Sequence, residues 1–358
     1  MPKDIWIDNE SDVRAALLSK DLHAVHVSRL YEGLEDKFDI DLVHFRQFAK
    51  NSIFFSEGDT HKRLKSLANA ASRLALSRNK STYPEIAKGI FGSLARRVRV
   101  NLAEDYSNAF VNAVVIQSLG LNPRGLDEYH RWRSNIEWLL ADVPPWREVK
   151  HFNASVKALQ GSLLNWFAAD DGNNLRASGF DTLVEERSIN DLAFVLSALL
   201  LGSIATSYTI TNALCIVLAS DRGFSEWRQA FARDTKDATD RLIAVSSAVP
   251  DVTRVCASGA LFADRSVAVD QRVTLNLMPD MKNRSKSPGN IPDHSLSFGA
   301  GRHKCVGEGM AREMVAVALT TIFETGERVE LAADDIVVEQ SHPLGRIVDL
   351  PVVVHAPR

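Results

Sequence analysis

The chain has 358 residues, of which 45% are hydrophobic and 24% are charged, and its formal net charge is −3. This composition is typical of a globular protein and lacks the basic excess of nucleic-acid-binding domains. The three cysteines, Cys215, Cys256 and Cys305, are too few and too widely spaced for a disulfide framework or a paired-cysteine zinc site. We therefore expect a cytoplasmic protein without a nucleic-acid partner.

The N-terminal residues contain no apolar signal core. The longest apolar stretch, around residues 192–218, is interrupted by serine, threonine, tyrosine and asparagine. Because a membrane span needs about 20 nearly uninterrupted apolar residues, we expect this stretch to be a buried helix and the protein to have no membrane partner.

Helical periodicity dominates the chain, as where Leu64, Leu67 and Ala71 recur at helical spacing. The predicted helices span residues 12–20, 59–76, 87–98, 107–121, 127–142, 152–169, 189–220, 224–232, 235–248 and 307–325. The predicted strands span residues 4–7, 254–256, 266–269, 272–277, 336–339 and 347–354. No glycine- or serine-rich linker divides the chain. We therefore expect one mainly α-helical domain with a small β region over residues 1–358.

The stretch SFGAGRHKCVGEG, residues 297–309, carries the most chemical information. Its glycines allow tight turns and a close approach of the backbone to a flat ligand. Cys305 comes just before the predicted helix 307–325, where backbone N–H groups and the positive helix end favour an anion. We expect this position to lower the pKa of the cysteine and to make its thiolate available to a metal, with Phe298 limiting water access. The alternative is a buried structural cysteine.

The pattern FGxGxxxCxG is complete between Phe298 and Gly307, and GMARE follows at residues 309–313. This resembles the heme-binding loop and the following helix of the cytochromes P450, in which a cysteine thiolate is the axial iron ligand. The resemblance implies a P450-like fold, heme b as cofactor and Cys305 as the fifth iron ligand. It also implies that Gly202 lets the long central helix approach the heme face.

Further residues resemble the heme contacts of soluble bacterial P450s. His61 and Lys65, four residues apart in DTHKRLK, resemble a helical pair that reaches a heme propionate. Arg254 and His303 stand where the family places further propionate contacts. The resemblance therefore implies four donor groups around two carboxylates. Taken singly, each residue has a simpler interpretation as a solvated surface or loop residue.

The chain also differs from the family: two of its segments are shorter, and one catalytic pair of residues is missing. The proline-rich leader, the first helix and the first strand are expected to be missing, and the stretch between residues 277 and 298 is short. The family's central helix carries an acid followed by threonine, for proton delivery to dioxygen. In this chain the matching stretch is LGSIATS, residues 201–207, and the two positions of the pair hold either Ile204 and Ala205 or Ala205 and Thr206. The hydroxyl group of Thr206 or Ser203 could still serve in catalysis. The alternative is that both hydroxyl groups only form hydrogen bonds within the helix.

The family's Glu-x-x-Arg pair is missing as well. Its positions fall near Leu242 and Val245, and the nearest charges, Asp240 and Arg241, have the wrong spacing. Replacing both partners of a buried ion pair by apolar residues can leave stability unchanged. The loss therefore indicates divergence rather than misfolding.

Three functions remain open for a heme site with reduced oxygen-activation machinery. The first is an atypical monooxygenase or oxidase acting on a small specialised metabolite. The second is a heme-thiolate enzyme without dioxygen activation: a peroxide user, isomerase, dehydratase or cyclase. The third is a non-catalytic P450-like binding module, which the intact cysteine loop disfavours.

The partners implied are a small-molecule substrate and a ferredoxin-type electron donor. Arg302, Lys304 and Arg312 form a candidate basic patch for an acidic donor, or else ordinary solvated charge. HPLGR, residues 342–346, resembles the hairpin turn that touches substrate in the family. His23 and His26 have the spacing of metal ligands without a third ligand, and we expect a surface helix end there.

Overall fold

The structure, a computed structural model, describes residues 4–25, 35, 37–38, 40–94, 99–121, 146–168, 173–184, 188–219, 221–262, 265–278, 296–325, 328–332, 335–339 and 344–355. Its described helices are α1 (Glu10–Leu18), α2 (Val43–Asn51), α3 (Gly58–Asn79), α4 (Tyr83–Leu94), α5 (Ala109–Leu119), α6 (Trp146–Ala168), α7 (Asn173–Ser178), α8 (Asp181–Val184), α9 (Ile189–Leu218), α10 (Asp221–Arg233), α11 (Thr235–Ser246) and α12 (Glu308–Glu324). The prediction of a mainly helical protein with a small β region is confirmed.

The strands are short. They are β1 (Ile5–Ile7), β2 (Leu22–Ala24), β3 (Arg99–Asn101), β4 (Asp251–Cys256), β5 (Ala260–Phe262), β6 (Arg265–Val267), β7 (Arg272–Asn276), β8 (Arg328–Leu331), β9 (Val337–Glu339), β10 (Arg346–Asp349) and β11 (Pro351–His355). The predicted helix 127–142 lies outside the described residues, as do His26 and His342.

Helix α9 forms the centre of the main hydrophobic core and packs against α3, α5, α6, α11 and α12. Ser188 begins this helix by accepting a hydrogen bond from the backbone N–H of Asn190. Among the described helices, α9 alone is long and apolar enough to cross a membrane, but 78% of its most apolar window is buried inside the protein. The prediction of a buried helix at this place is confirmed.

A four-stranded sheet carries Arg254 into the interior. Its strand order is β1-β7-β4-β2, with β1 parallel to β7 and the other pairs antiparallel. Arg254 on β4 lies between Val273 on β7 and Ala24 on β2. The sequence did not predict β2, and the expectation of a helix end at His23 is wrong, because His23 pairs with Val255. A three-residue strand is stabilised by its neighbours, which local patterns do not reveal.

The C-terminal strands place residues 344 and 345 beside α9. Strand β11 lies between β3 and β8, and β10 pairs with β9. The predicted strand 347–354 is two strands that meet at Leu350. Leu344 and Gly345 immediately precede β10 and lie at the edge of a cavity described below.

The place of the missing Glu-x-x-Arg pair is apolar. Leu242 and Val245 lie on α11 and are buried in the main core. Arg241 turns toward Asp237, with 2.8 Å between Nε and Oδ2. Hydrophobic packing therefore occupies these two positions.

Candidate functional site

A cavity of about 950 Å³ lies between α3, α9, the start of α12, β4 and the loop before α12. The predicted site residues all line it: His61, Lys65, Gly202, Ser203, Thr206, Arg254, Phe298, His303 and Cys305. They come from four separate parts of the chain: α3, α9, β4 and the loop before α12. The volume lies at the upper end of the range for small-molecule and cofactor sites, about 300–1,000 Å³.

The loop around Cys305 is folded by its glycines. Gly299 and Gly301 adopt φ values of 65° and 68°, which other residues rarely adopt. The N–H of Gly299 donates to the carbonyl of Leu296 at 2.7 Å, and the N–H of Cys305 donates to that of Phe298 at 2.9 Å. The resulting turn presents Cys305 to the cavity.

The Cys305 side chain is accessible from the cavity that it lines. The sulfur is nevertheless surrounded by protein atoms, and this burial inside the fold raises the pKa of the thiol, as does the charge of Glu308. Hydrogen bonds from the N–H groups of Gly307 and Glu308 and the charge of Lys65 act in the opposite direction. The expectation of a lowered pKa is therefore wrong for the protein alone, because burial outweighs the helix start. A metal ion at the sulfur deprotonates a thiol outright and removes this barrier.

Two glycines leave room for a flat ligand. Gly202 on α9 and Gly299 in the loop line the cavity, and a Cβ added to either would meet no atom within 4 Å. By contrast, a Cβ on Gly307 would lie 3.8 Å from the sulfur of Cys305, in ordinary contact. Gly202 and Gly299 therefore leave open space at two points of the cavity wall.

The wall formed by α9 carries hydroxyl groups and no carboxylate. Its cavity-lining residues are Ala198, Leu199, Gly202, Ser203, Ala205, Thr206 and Thr209. Ile204 points into the core and is fully buried. Of the two possible alignments with the acid–threonine pair, this orientation favours the one with Ala205 in place of the acid and Thr206 in place of the threonine.

The hydroxyl groups of this wall differ in their partners. Ser203 donates to the carbonyl of Leu200 at 2.7 Å, and Thr209 donates to that of Ala205 at 2.8 Å. The Thr206 hydroxyl makes no hydrogen bond with another residue in the described part of the chain. Thr206 is therefore better placed than Ser203 to bind a ligand or a water in the cavity.

Helix α3 directs two donors at the cysteine loop. His61 Nε2 lies 3.0 Å from the carbonyl oxygen of Arg302, and Lys65 Nζ donates to the carbonyls of Arg302 and Lys304, the latter at 2.8 Å. His61 Nδ1 is buried, and no partner for it is found among the described residues. Burial lowers the pKa of both side chains, most directly that of His61.

His303 and Arg254 complete the polar end of the cavity. The rings of His303 and His61 lie 4.1 Å apart, and Arg254 donates to the carbonyl of Thr253 at 2.9 Å. Burial lowers the pKa of His303 to about 4, although its hydrogen bond to Glu57 acts in the opposite direction. At neutral pH the positive charge at this end comes from Lys65 and Arg254, and the two histidines are neutral.

These features fit heme. Among the described residues one thiol lines the open cavity, whose wall leaves space at Gly202 and Gly299, and basic groups gather at one end with a buried, unpartnered nitrogen on His61. Such an end suits the two carboxylates of a heme, since buried carboxylates need charged or hydrogen-bonding partners.

Comparison with known proteins agrees with this geometry. The sequence model of the family "Cytochrome P450" matches residues 280–332. This match covers the cysteine loop and α12, and the fold is that of the cytochromes P450. No curated protein sequence matches the chain. The family match and the fold support a heme-thiolate oxidoreductase.

Solved P450 structures match the whole fold at low sequence identity. P450BioI, in complex with hexadec-9Z-enoic acid ligated acyl carrier protein, is 14% identical with a TM-score of 0.86, over 98% of this chain and 92% of that chain. The myxobacterial CYP267B1, in complex with myristic acid, is 20% identical with a TM-score of 0.81, over 98% and 90%. CYP109B1 from Bacillus subtilis is 17% identical with a TM-score of 0.77, over 97% and 92%.

The candidate basic patch is largely neutralised within the described residues. Arg302 turns inward to Glu57, and Lys304 pairs with Glu308 at 2.6 Å. Arg312 pairs with Glu308 and Asp240, and its guanidinium lies 4.9 Å from the centroid of the Phe298 ring. These three residues therefore offer little unpaired positive charge to an acidic donor.

Sequence reasoning missed two polar residues that organise the site. Glu57 binds both Arg302 and His303. Asn212, on α9, donates to the carbonyls of Ser246 and Gly345 at 3.2 and 2.9 Å. Neither residue belongs to a local motif, and their partners lie far away in the chain, so no sequence signal identifies them.

Proposed function

We propose that the chain is a single heme domain, residues 1–358, that binds heme b through Cys305 and acts as an atypical monooxygenase or oxidase on a small specialised metabolite. The observation that carries this proposal is that Cys305 and the other predicted heme and catalytic residues line one cavity of about 950 Å³. When bound, heme would supply the redox chemistry, and the protein would supply orientation and electrostatics.

Each residue of the cofactor end has a distinct task in this proposal. Cys305 provides the thiolate to the iron, and Phe298 limits access of water to the sulfur. Lys65 and Arg254 hold the propionates as cations, and His61 and His303 donate to them from Nδ1, because the nearby carboxylates raise the pKa of both rings and protonate them. Gly202 and Gly299 leave the two faces of the cavity free for the ring system, since a Cβ at either would enter open space.

Thr206 is the proposed proton-handling residue, with Ser203 in a supporting position. The Thr206 hydroxyl faces the cavity without a hydrogen-bond partner among the described residues, so it can hold a water or a substrate hydroxyl. Ser203 already donates to the carbonyl of Leu200. Since no carboxylate adjoins Thr206, the proton would come from water or from the substrate itself.

The proposed substrate is small and mainly apolar. The apolar residues that line the cavity include Phe54, Phe55, Val115, Leu119 and Leu199. Apolar pockets with a few polar groups bind small organic ligands by burying their surface. Two of the similar structures hold a fatty acid or a fatty acyl chain, which agrees with an apolar substrate. A ferredoxin-type protein remains the proposed electron donor, and we propose no nucleic-acid or membrane partner and a cytoplasmic location.

A second candidate is favoured by Ala205, which stands where the family carries an acid. A heme-thiolate enzyme that uses peroxide, or an isomerase, dehydratase or cyclase, needs no proton relay to dioxygen. Such an enzyme would retain the cysteine loop and the basic groups but tolerate an apolar residue at position 205.

Spectroscopy of the purified protein tests heme-thiolate ligation. We expect wild-type protein, produced with full cofactor supply, to contain stoichiometric iron and to give a thiolate-type carbon monoxide spectrum after reduction. Cys305→Ala should lose this spectrum, and Cys215→Ala, a matched control on α9, should retain it. Iron-free wild-type protein, or an unchanged spectrum in Cys305→Ala, would refute the proposal.

Turnover assays then separate the two candidates. An oxygenase requires a reductase and ferredoxin with dioxygen. A peroxide user works with hydrogen peroxide alone, and an isomerase, dehydratase or cyclase works with neither. Product formation only in the reductase system would support the first candidate and exclude the second.

A further inference from the structure

Glu57 occupies an unusual position for a residue at a helix start. It is the N-cap of α3, with an extended backbone, yet its side chain does not cap the helix. Its Oε1 instead accepts hydrogen bonds from the N–H of Ala24 at 2.7 Å and from His303 Nε2 at 3.0 Å. Its Oε2 accepts from Arg302 Nε at 3.0 Å. One carboxylate thus joins strand β2 to two residues of the cysteine loop.

Arg302 extends this connection to the N-terminal elements. Its remaining guanidinium nitrogens donate to the carbonyls of Ser19, at 2.8 Å, and Leu22. The neighbouring Gly301 approaches the end of α1 so closely that a Cβ there would lie 2.6 Å from the carbonyl oxygen of Leu17. The loop is therefore docked on the α1–β2 connection, with Glu57 at the centre of the contact.

The opposite side of the same loop is held by α3. His61 and Lys65 bind the carbonyl of Arg302, so the backbone of this residue is fixed from α3 while its side chain is fixed by Glu57. Cys305 lies only three residues further on. Movement at residues 302 and 303 would therefore displace the sulfur.

Glu57 carries a negative charge at neutral pH. Its partial burial would raise the pKa of the carboxyl, but hydrogen bonds from His303 and Ala24 lower it to about 2, together with the charge of Arg302 and, in acid, where its ring is protonated, the charge of His303. His303 lines the cavity, whereas Glu57 does not. Because Glu57 occupies Nε2, Nδ1 is the ring nitrogen of His303 that remains for a ligand.

We propose that Glu57 is a positioning residue that fixes the cysteine loop and the ring of His303, and thereby sets how firmly heme is retained. This inference rests on the proposed heme site. Groups behind the direct ligands of a metal commonly contribute about 10–100-fold to its affinity. We expect a loss of this size when Glu57 is replaced by alanine.

Heme dissociation and hydrogen exchange test this role. Hemin transfer to apomyoglobin should be about 10–100-fold faster from Glu57→Ala than from the wild type, with part of the thiolate-type carbon monoxide spectrum lost. Glu57→Gln, which keeps an acceptor oxygen but no charge, should lie between the two. The control Asp59→Asn removes an exposed carboxylate from the first turn of the same helix. Asp59 pairs with the exposed Lys62 at 3.0 Å, so this variant should match the wild type.

Hydrogen exchange on the heme-free proteins tests whether Glu57 fixes the cysteine loop, and this test does not depend on heme binding. Amides of residues 298–305 should exchange faster in Glu57→Gln, whereas those of the distant strand β11 should not change. If the wild type binds no heme, the proposed function fails, but the exchange result still decides the role of Glu57. Wild-type hemin transfer in Glu57→Ala, or unchanged exchange of the loop in Glu57→Gln, would overturn the inference.

Discussion

Replacing Gly202 by alanine should change protein stability and heme affinity in opposite directions. Gly202 lies inside α9, and the added Cβ would meet no atom within 4 Å. Alanine is favoured over glycine in a helix interior by about 0.8–1.0 kcal/mol. The heme-free protein should therefore gain about 1 kcal/mol of unfolding free energy, chiefly because the unfolded chain loses conformational freedom.

The expected change in melting temperature follows from the size of the chain. The unfolding entropy of 358 residues is about 0.75 kcal/mol/K, so 1 kcal/mol corresponds to about 1–2 °C. In the loaded protein the same methyl group would project toward the heme. Overpacking costs about 1–3 kcal/mol, so hemin affinity should fall by roughly tenfold.

Gly161→Ala provides the matched control. Gly161 lies in the interior of α6, a Cβ there would also meet no atom within 4 Å, and the residue does not line the cavity. Both variants should show the same gain in urea denaturation of heme-free protein, but only Gly202→Ala should weaken hemin binding in an absorbance titration. Equal hemin affinity in the two variants would show that heme does not lie against Gly202, and a destabilised heme-free Gly202→Ala would show that the space is not open.

Three further predictions concern polar side chains. Thr206→Val should reduce reductase-driven turnover by about tenfold or more, since positioned proton donors contribute about 10²–10⁴-fold, whereas Ser203→Ala should have a smaller effect; equal effects in steady-state kinetics would contradict the role of Thr206. Asn212→Ala should lower the free energy of unfolding by about 0.5–1.5 kcal/mol, because it removes the hydrogen bonds to the carbonyls of Ser246 and Gly345, and urea denaturation measures this. The difference in unfolding free energy between wild type and Glu57→Gln should be constant above the carboxyl's ordinary pKa of 4.5 and should shrink as the pH falls toward about 2. The reason is that a lowered pKa in the folded state stabilises the fold only while the carboxyl is ionised. A difference that persists at pH 2 in acid titrations would contradict this prediction.

Much of the helical architecture could be predicted from the sequence. Helices α3, α9 and α12 are long and carry apolar residues at helical spacing, so their existence does not depend on distant partners. Strands β2, β3 and β8 were not predicted, because segments of three or four residues are stabilised by the strands beside them. The predicted strand 347–354 proved to be two strands for the same reason, since each half pairs with a different neighbour.

In the candidate site, too, some features could be predicted from local sequence and others depend on distant contacts. The sequence by itself determined the cysteine loop, because FGxGxxxCxG is contiguous and glycine conformation is a local property. The tertiary structure alone decided that Thr206 rather than Ile204 faces the cavity, that burial raises the pKa of Cys305, and that Arg302 binds Glu57 instead of forming a basic surface. Burial, helix rotation and charge pairing depend on distant residues, such as Glu57 and Arg302, which are 245 positions apart in the chain. Short-range sequence patterns therefore do not reveal them.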